Sequence, residues 1–368
     1  MKKRFIFIPL SLLLLCSCSQ ETSINEGFSV TEQSSISSFD FEPDFAGERG
    51  TVDEQFGLSG SVKDGFVYYE GGDGFYEYDP ETKEAIKVTG ANLGINAVDC
   101  GFIHYEPNYD ADITGRTGKL QYMNFKGEIL YEHYFEAGPE YGLIAYDNRL
   151  YYDNYYYDVK TEKKVKLFPD DASDYIYEEE DDEENSVDES ERISVGSYVL
   201  SNDYYMRIKL VGKQYNIERL KFADNSIDMI ALPENIDLCD LAVDRNSDIY
   251  VSSVLYLDDG SWSYEIYKVS DDGSTEKIDN CVPNSMHFTV LNGDISYIDT
   301  EDILSIYSGG SVTEVADNVF DFAVLNERFV LYKTMVDGDR SDTSVYDGLY
   351  LYDREDGICT ELKTVTEE

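Results

Sequence analysis

Two phrases at opposite ends of this chain are near copies: GFYEYDPETK (Gly74–Lys83) and GLYLYDREDG (Gly348–Gly357). Other copies of a second pattern lie between and around them. FAVLNERFVLYK (Phe322–Lys333), LAVDRNSDIYVSS (Leu241–Ser253), FTVLNGDISYID (Phe288–Asp299), NAVDCGFIHYE (Asn96–Glu106) and LIAYDNRLYYD (Leu143–Asp153) each set an apolar stretch, a polar turn and a Tyr-rich stretch in the same order. Asn, Asp and Gly between β-branched and aromatic runs are the chemistry of tight hairpins. The Tyr of each second stretch (Tyr69, Tyr105, Tyr152, Tyr205, Tyr250, Tyr297 and Tyr332) recurs at a mean spacing of about 44 residues, within the range of a four-stranded propeller blade. Seven such units need about 308 residues, and residues 60–368 supply 309.

The expected fold is therefore all-β: a seven-bladed β-propeller of four-stranded antiparallel blades, with six or eight blades as alternatives. A lone four-stranded blade cannot bury both of its faces, so it must stack on neighbours, and closing the stack into a ring leaves only short edges. GFYEYDPETK and GLYLYDREDG then become third strands of the first and last blades. The 32 Tyr suit such a stack, because rings can fill the space between blades while hydroxyls reach water or backbone. The stretch SFDFEPD (Ser38–Asp44) is a candidate for a closing strand.

The N-terminus has a separate logic. Lys2, Lys3 and Arg4 precede an apolar run from Phe5 to Leu15, 11 residues long and too short to span a bilayer. It has the pattern of a secretory signal peptide, residues 1–17, and LCSC (Leu15–Cys18) resembles the bacterial lipobox, with Cys18 as the lipidated residue. Residues 18–60 form a Ser- and acid-rich tether, and residues 61–368 the propeller. Removing residues 1–17 leaves 75 acidic and 26 basic residues, net −49, which repels nucleic acid phosphates and anionic lipid heads. Membrane contact is thus expected through the N-terminal lipid only, with no nucleic acid partner and a monomeric chain at the outer face of the cell membrane. Asp170–Arg192 carries 13 acidic residues and one base, and is expected to be a solvated, disordered insertion between the third and fourth units.

The lipobox-like LCSC, the phrase Gly-apolar-Tyr-x-Tyr-Asp and LQYMNFKGE (Leu120–Glu128) together resemble the β-propeller lipoproteins of unknown function from Firmicutes, whose domain is similar to the low-density-lipoprotein-receptor-related propeller. The resemblance implies the propeller fold across the mature chain and supplies no catalytic residues. The single Trp262 excludes WD repeats.

Long loops between second and third strands are the candidate functional face: Pro107–Lys119, Tyr256–Ser263 and Thr334–Asp347. Within them Tyr109, Asp110, Asp112, Arg116, Trp262, Asp337, Asp339 and Arg340 form a candidate rim for a carbohydrate or protein ligand, with rings stacking and the Arg fork clamping a carboxylate. A Trp in such a loop is more often packed beneath it than presented from it. NYDADITG (Asn108–Gly115) and DGDRSD (Asp337–Asp342) place oxygens at alternate positions as calcium loops do, but neither has a Glu at the twelfth position, so the expectation is no cofactor, with Ca2+ as the weaker alternative. Cys239 and Cys281 could pair in an exported chain, or stay apart as small hydrophobes, the expected state. His104 and His287 fall on expected strands, and no GxSxG, HExxH or phosphate loop occurs. The expected function is a non-catalytic ligand- or protein-binding module, not an enzyme. A surface glycan hydrolase or lyase and a structural spacer are the alternatives.

Overall fold

The computed structural model describes residues 60–89, 95–98, 101–108, 117–124, 126–135, 144–146, 149–152, 154–158, 161, 163–169, 193–244, 246–256, 262–335 and 346–362. These hold 28 strands and no helix. Cys18, the tether up to residue 59, SFDFEPD and the acidic insertion lie outside the described residues, while Gly60, expected as the last tether residue, opens the first strand. The strands form seven four-stranded antiparallel sheets, each from four consecutive strands, between residues 60–89, 95–135, 144–166, 193–231, 238–277, 283–316 and 319–361. They are called sheets one to seven below.

Each sheet is a local meander because its turns are encoded locally. In sheet one Lys63 pairs with Phe66 across Asp64-Gly65, and in sheet six Leu291 pairs with Asp294 across Asn292-Gly293. All four turn residues have positive φ, between 51° and 88°, the two-residue turn whose twist matches its flanking strands. Strand alternation then sends residues to both faces of a sheet, and both are covered by neighbours.

The first and last sheets pack on each other. Val67, Tyr69, Tyr76 and Tyr78 of sheet one share one buried cluster with Leu331, Leu349 and Leu351 of sheet seven. A Cβ on Gly60 would lie 2.8 Å from Leu325 Cδ2, so the first strand abuts sheet seven where only glycine fits without a shift. Each sheet is contiguous in sequence, so no strand is exchanged among the described sheets, and the first and last meet through packed side chains. The expected all-β propeller architecture is thus the observed one.

The Tyr marker behaves as one structural position in four of the sheets described at this level. Tyr205 packs on sheet three, Tyr297 on sheet five, Tyr332 on sheet six and Tyr69 on sheet seven, always the preceding neighbour. Tyr250 does not: it packs toward sheet six, the following neighbour, while Val251 faces sheet four. In sheet five Val243 pairs with Ile249, and in sheet seven Val324 pairs with Val330, which aligns Val251 with Tyr332. Tyr250 is therefore one residue out of register with the other markers, and a one-residue slip turns a side chain to the opposite face.

Sheet four holds a buried ion pair. Arg207 and Glu218 are direct cross-strand partners, with Arg207 Nε donating to Glu218 Oε2 at 2.7 Å. The guanidinium, 1% exposed, lies 4.3 Å from the centroid of Phe168, so a ring caps the ion pair from the side of sheet three.

Candidate functional site

Of the expected rim residues, Tyr109, Asp110, Asp112 and Arg116, and likewise Asp337, Asp339 and Arg340, lie outside the described residues. Trp262 is described. It opens the strand Trp262–Val269 of sheet five, pairs directly with Tyr256 at the end of Ile249–Tyr256, and is 63% exposed. The expected burial beneath its own loop is not found. Both strands end at this rung, so neither ring has a further strand residue above it.

Alternation and register fix what Trp262 shares a face with. Tyr256 and Trp262, Val254 and Tyr264, Ser252 and Ile266, and Tyr250 and Lys268 are successive same-face pairs. Tyr250 and Ile266 belong to the cluster with Cys281, Phe288 and Tyr297 of the next sheet, so this is the face turned toward sheet six. The stripe begins in the core at Ser252, whose Oγ has no hydrogen-bond partner, and ends in water at Tyr256, which is 71% exposed.

A pocket of about 370 Å³ adjoins the stripe, lined by Ser263–Glu265 on one side and Lys277–Val282 on the other. Three features shape it. Tyr297 donates its hydroxyl hydrogen to the Asn280 carbonyl at 3.2 Å, holding the connection to sheet six in place. Glu265 and Lys277 form an ion pair across one end. Cys281 is buried in its floor, while Val282 is left half exposed.

The titratable groups of the pocket are placed for binding rather than for attack. Burial pushes the Cys281 thiol up to about 12, so at neutral pH it is a thiol and a poor nucleophile. Burial, and then the charges of Cys239 and Tyr256, raise the Tyr264 hydroxyl above its ordinary value. For Glu265 burial acts upward, but hydrogen bonds from Lys277 and Tyr267 outweigh it and hold the carboxyl below its ordinary range. On the neighbouring sheet Tyr215, which donates to Asp237 at 3.2 Å, is pushed up to about 12 by burial and that carboxylate.

Cys239, Cys281 and Cys359 are free thiols, half-buried, buried and exposed in turn, so Cys239 and Cys281 are not paired and Cys359 departs from the expected burial. His104 and His287 lie on the strands Gly101–Asn108 and Pro283–Leu291, as expected. Both calcium-like stretches run through loop residues outside the described set.

The sequence reading missed the outer edge of sheet five. Trp262–Val269 has eight residues, but the fourth strand, Thr275–Lys277, has three and pairs only with Tyr267–Val269. Ile278 N–H donates to Ile266 C=O at 2.8 Å, and beyond that point no described strand pairs with Trp262–Ile266, although Pro283–Leu291 of sheet six packs against the same strand. The signal was present: only five residues, Ser274–Ile278, separate the turn at Asp271–Gly273 from the polar pair Asp279-Asn280.

No family model matches the chain. No curated protein is similar to it in sequence. Solved structures are similar in fold. Dipeptidyl peptidase 4 from Porphyromonas gingivalis is 11% identical with a TM-score of 0.42, over 88% of this chain and 56% of that one. Acylaminoacyl peptidase from Pyrococcus horikoshii is 13% identical at 0.34, over 81% and 43%. The β-propeller domain of the trilobed protease from Pyrococcus furiosus, described as having an open velcro topology, is 12% identical at 0.43, over 83% of each chain. The chain thus spans about half the length of the first two. The first two are peptidases, which stands against the expectation of a non-catalytic module that is not an enzyme. That expectation rested on missing catalytic motifs, and a chain matching only part of a peptidase need show none in the matched part. At these identities the likeness is one of fold, and the fold is the β-propeller.

Proposed function

We propose that this chain is the propeller of a peptidase-type hydrolase and that the rim of sheet five receives the peptide. The observation that supports this most directly is the exposed Tyr256–Trp262 pair, continuous through Tyr264 with a pocket about 370 Å³ in volume. Aromatic rings facing water beside a pocket gain by covering an apolar side chain, while Ser263, Asn280 and the backbone offer hydrogen bonds to peptide groups. A formal charge of −46 favours neutral or cationic peptides over anionic ones. The substrate class agrees with the peptidases named above. Bond cleavage is assigned to no described residue: the Cys281 thiol is held protonated, and the side chains of His104, His133 and His287 lie outside the described residues.

The test is release of a chromophore from short neutral and lysine-containing peptide anilides, with free and blocked amino termini, by the purified mature chain. Turnover should occur, and Trp262→Ala should raise KM about tenfold with kcat little changed. No release from any of them would defeat the reading.

The same reading puts the chain on the outer surface of the cell membrane, tethered through a lipid on Cys18 with residues 18–60 as spacer, as the resemblance to the Firmicutes lipoproteins implies. Cys18→Ala should shift the chain from the membrane fraction to the soluble one. Retention of the variant on membranes would argue against the anchor.

A further inference from the structure

We propose that an extended peptide adds to sheet five as an extra strand along the open edge Trp262–Ile266, in the gap beside Asp279–Val282. This rests on the peptide reading above and names how the peptide is held.

The backbone phase of the edge follows from three observations. Ile278 N–H bonds Ile266 C=O, so the polar groups of Ile266 point outward, away from the second strand. In an antiparallel ladder this direction alternates, so those of Tyr264 and Trp262 also point outward. An independent check comes from the inner side, where Val254, the partner of Tyr264, donates its N–H to Asp237 C=O on the side of the first strand. Tyr264 and Val254 are therefore a rung with no hydrogen bonds between them, and the groups of Tyr264 are free to bond a strand outside.

The gap has the chemistry of a strand site. On one side stand the outward N–H and C=O groups of Trp262 and Tyr264. On the other lies the connection 279–282, fixed by the Tyr297 bond to Asn280. Alternate side chains of an added strand would meet Tyr264, Trp262 and the exposed Val282, which calls for apolar residues at every second position. The acidic chain adds a preference for flanking lysines. A stable protein usually blunts such an edge with charge, proline or a bulge. Here Trp262–Ile266 has no proline and a single charge, Glu265, which is ion-paired with Lys277, and the opposed aromatic pair caps it.

Trp262 is the only Trp of the chain and so reports on the site without a label. The experiment titrates the full mature chain with acetyl-Lys-Val-Leu-Val-Lys-amide, and with the same peptide N-methylated at Val, Leu and Val, following Trp emission. Strand addition predicts a saturable change with the parent peptide and at least tenfold weaker binding of the methylated one, because the methyl groups remove the one or two N–H donors that face the edge and hold the strand away from it. In the protein, Tyr264→Pro removes the outward donor without touching the inner ladder, whereas Tyr264→Ala removes only the ring. The Pro variant should bind the parent about tenfold more weakly, and the Ala variant less than threefold. If the Pro variant loses its melting transition, the peptide pair alone decides. No saturable change with the parent, or methylated peptide binding within threefold of it, overturns the proposal. Parent binding that is lost on methylation, with no peptide cleaved, removes the peptidase reading and keeps the added strand. Cleavage with the same kcat/KM in wild type and Tyr264→Pro does the reverse.

Discussion

Sheets five and six are neighbours with opposite outer edges. In sheet six the third strand, Leu304–Ser308, is paired along its whole length with Ser311–Ala316. In sheet five the third strand runs on for five residues past its cover. Each edge has a matching surface: sheet six shows one large apolar side chain on its outer strand, Val312, whereas the overhang of sheet five ends in Trp262 and Tyr256. The inner strands must be complete because they hold the ring, but the outer strand contributes little to packing and can be shortened. A propeller can therefore open a binding edge in one sheet without loosening the sheets on either side.

The sharpest way to break that comparison is to move the same kind of ion pair between the two settings. Arg207–Glu218 lies in the packed part of sheet four, with side chains 2% and 9% exposed, whereas Lys277–Glu265 closes the overhang of sheet five at 47% and 19%. Glu218→Ala strands a guanidinium between sheets and should lower unfolding free energy by about 3–5 kcal/mol. Lys277→Ala should cost at most about 1 kcal/mol, because water compensates the partner. The double replacement Arg207→Met with Glu218→Leu should recover much of the larger loss, since a well-packed apolar pair avoids the desolvation of both ions. Urea unfolding of the three variants checks this. Equal losses for Glu218→Ala and Lys277→Ala would mean that the edge of sheet five is packed as tightly as the interior.

The fold was legible because hairpin chemistry is local. Asn292-Gly293 and Asp64-Gly65 announce their turns, and the recurrent spacing of the Tyr residues announces the unit. Register was less legible. Tyr250 resembles the other markers in spacing, yet it sits one residue off, and only the pairing of Val243 with Ile249 shows which face it takes. The rim was legible only in outline. Loop length drew attention to Trp262, but its exposure depends on where Tyr256 ends, a relation between strands that no single stretch contains. The open edge is harder still, because what marks it is a partner strand that stops early. Counting residues after the Asp271–Gly273 turn would have found it, had the length of the fourth strand been weighed against that of the third.

The smallest expected effect concerns acid stability, and it tests whether the end of the fourth strand is pinned or loose. Glu265 is held below the ordinary carboxylate range by Lys277 and Tyr267 although burial opposes this. A carboxyl whose folded pKa is depressed contributes stability above its unfolded value, about 4.3 for Glu. That contribution is lost as pH falls through the folded value, because the unfolded chain then binds the proton first. Wild type should thus exceed Glu265→Gln in urea midpoint at pH 6, and the difference should shrink as the pH falls below about 4.3, the ordinary Glu value. A difference that stays constant through this range would show that Glu265 acts there through shape, with its charge contributing nothing. The last rung of the fourth strand would then be held by the Tyr267–Lys277 backbone alone, and Glu265 would be free to turn its carboxylate into the gap.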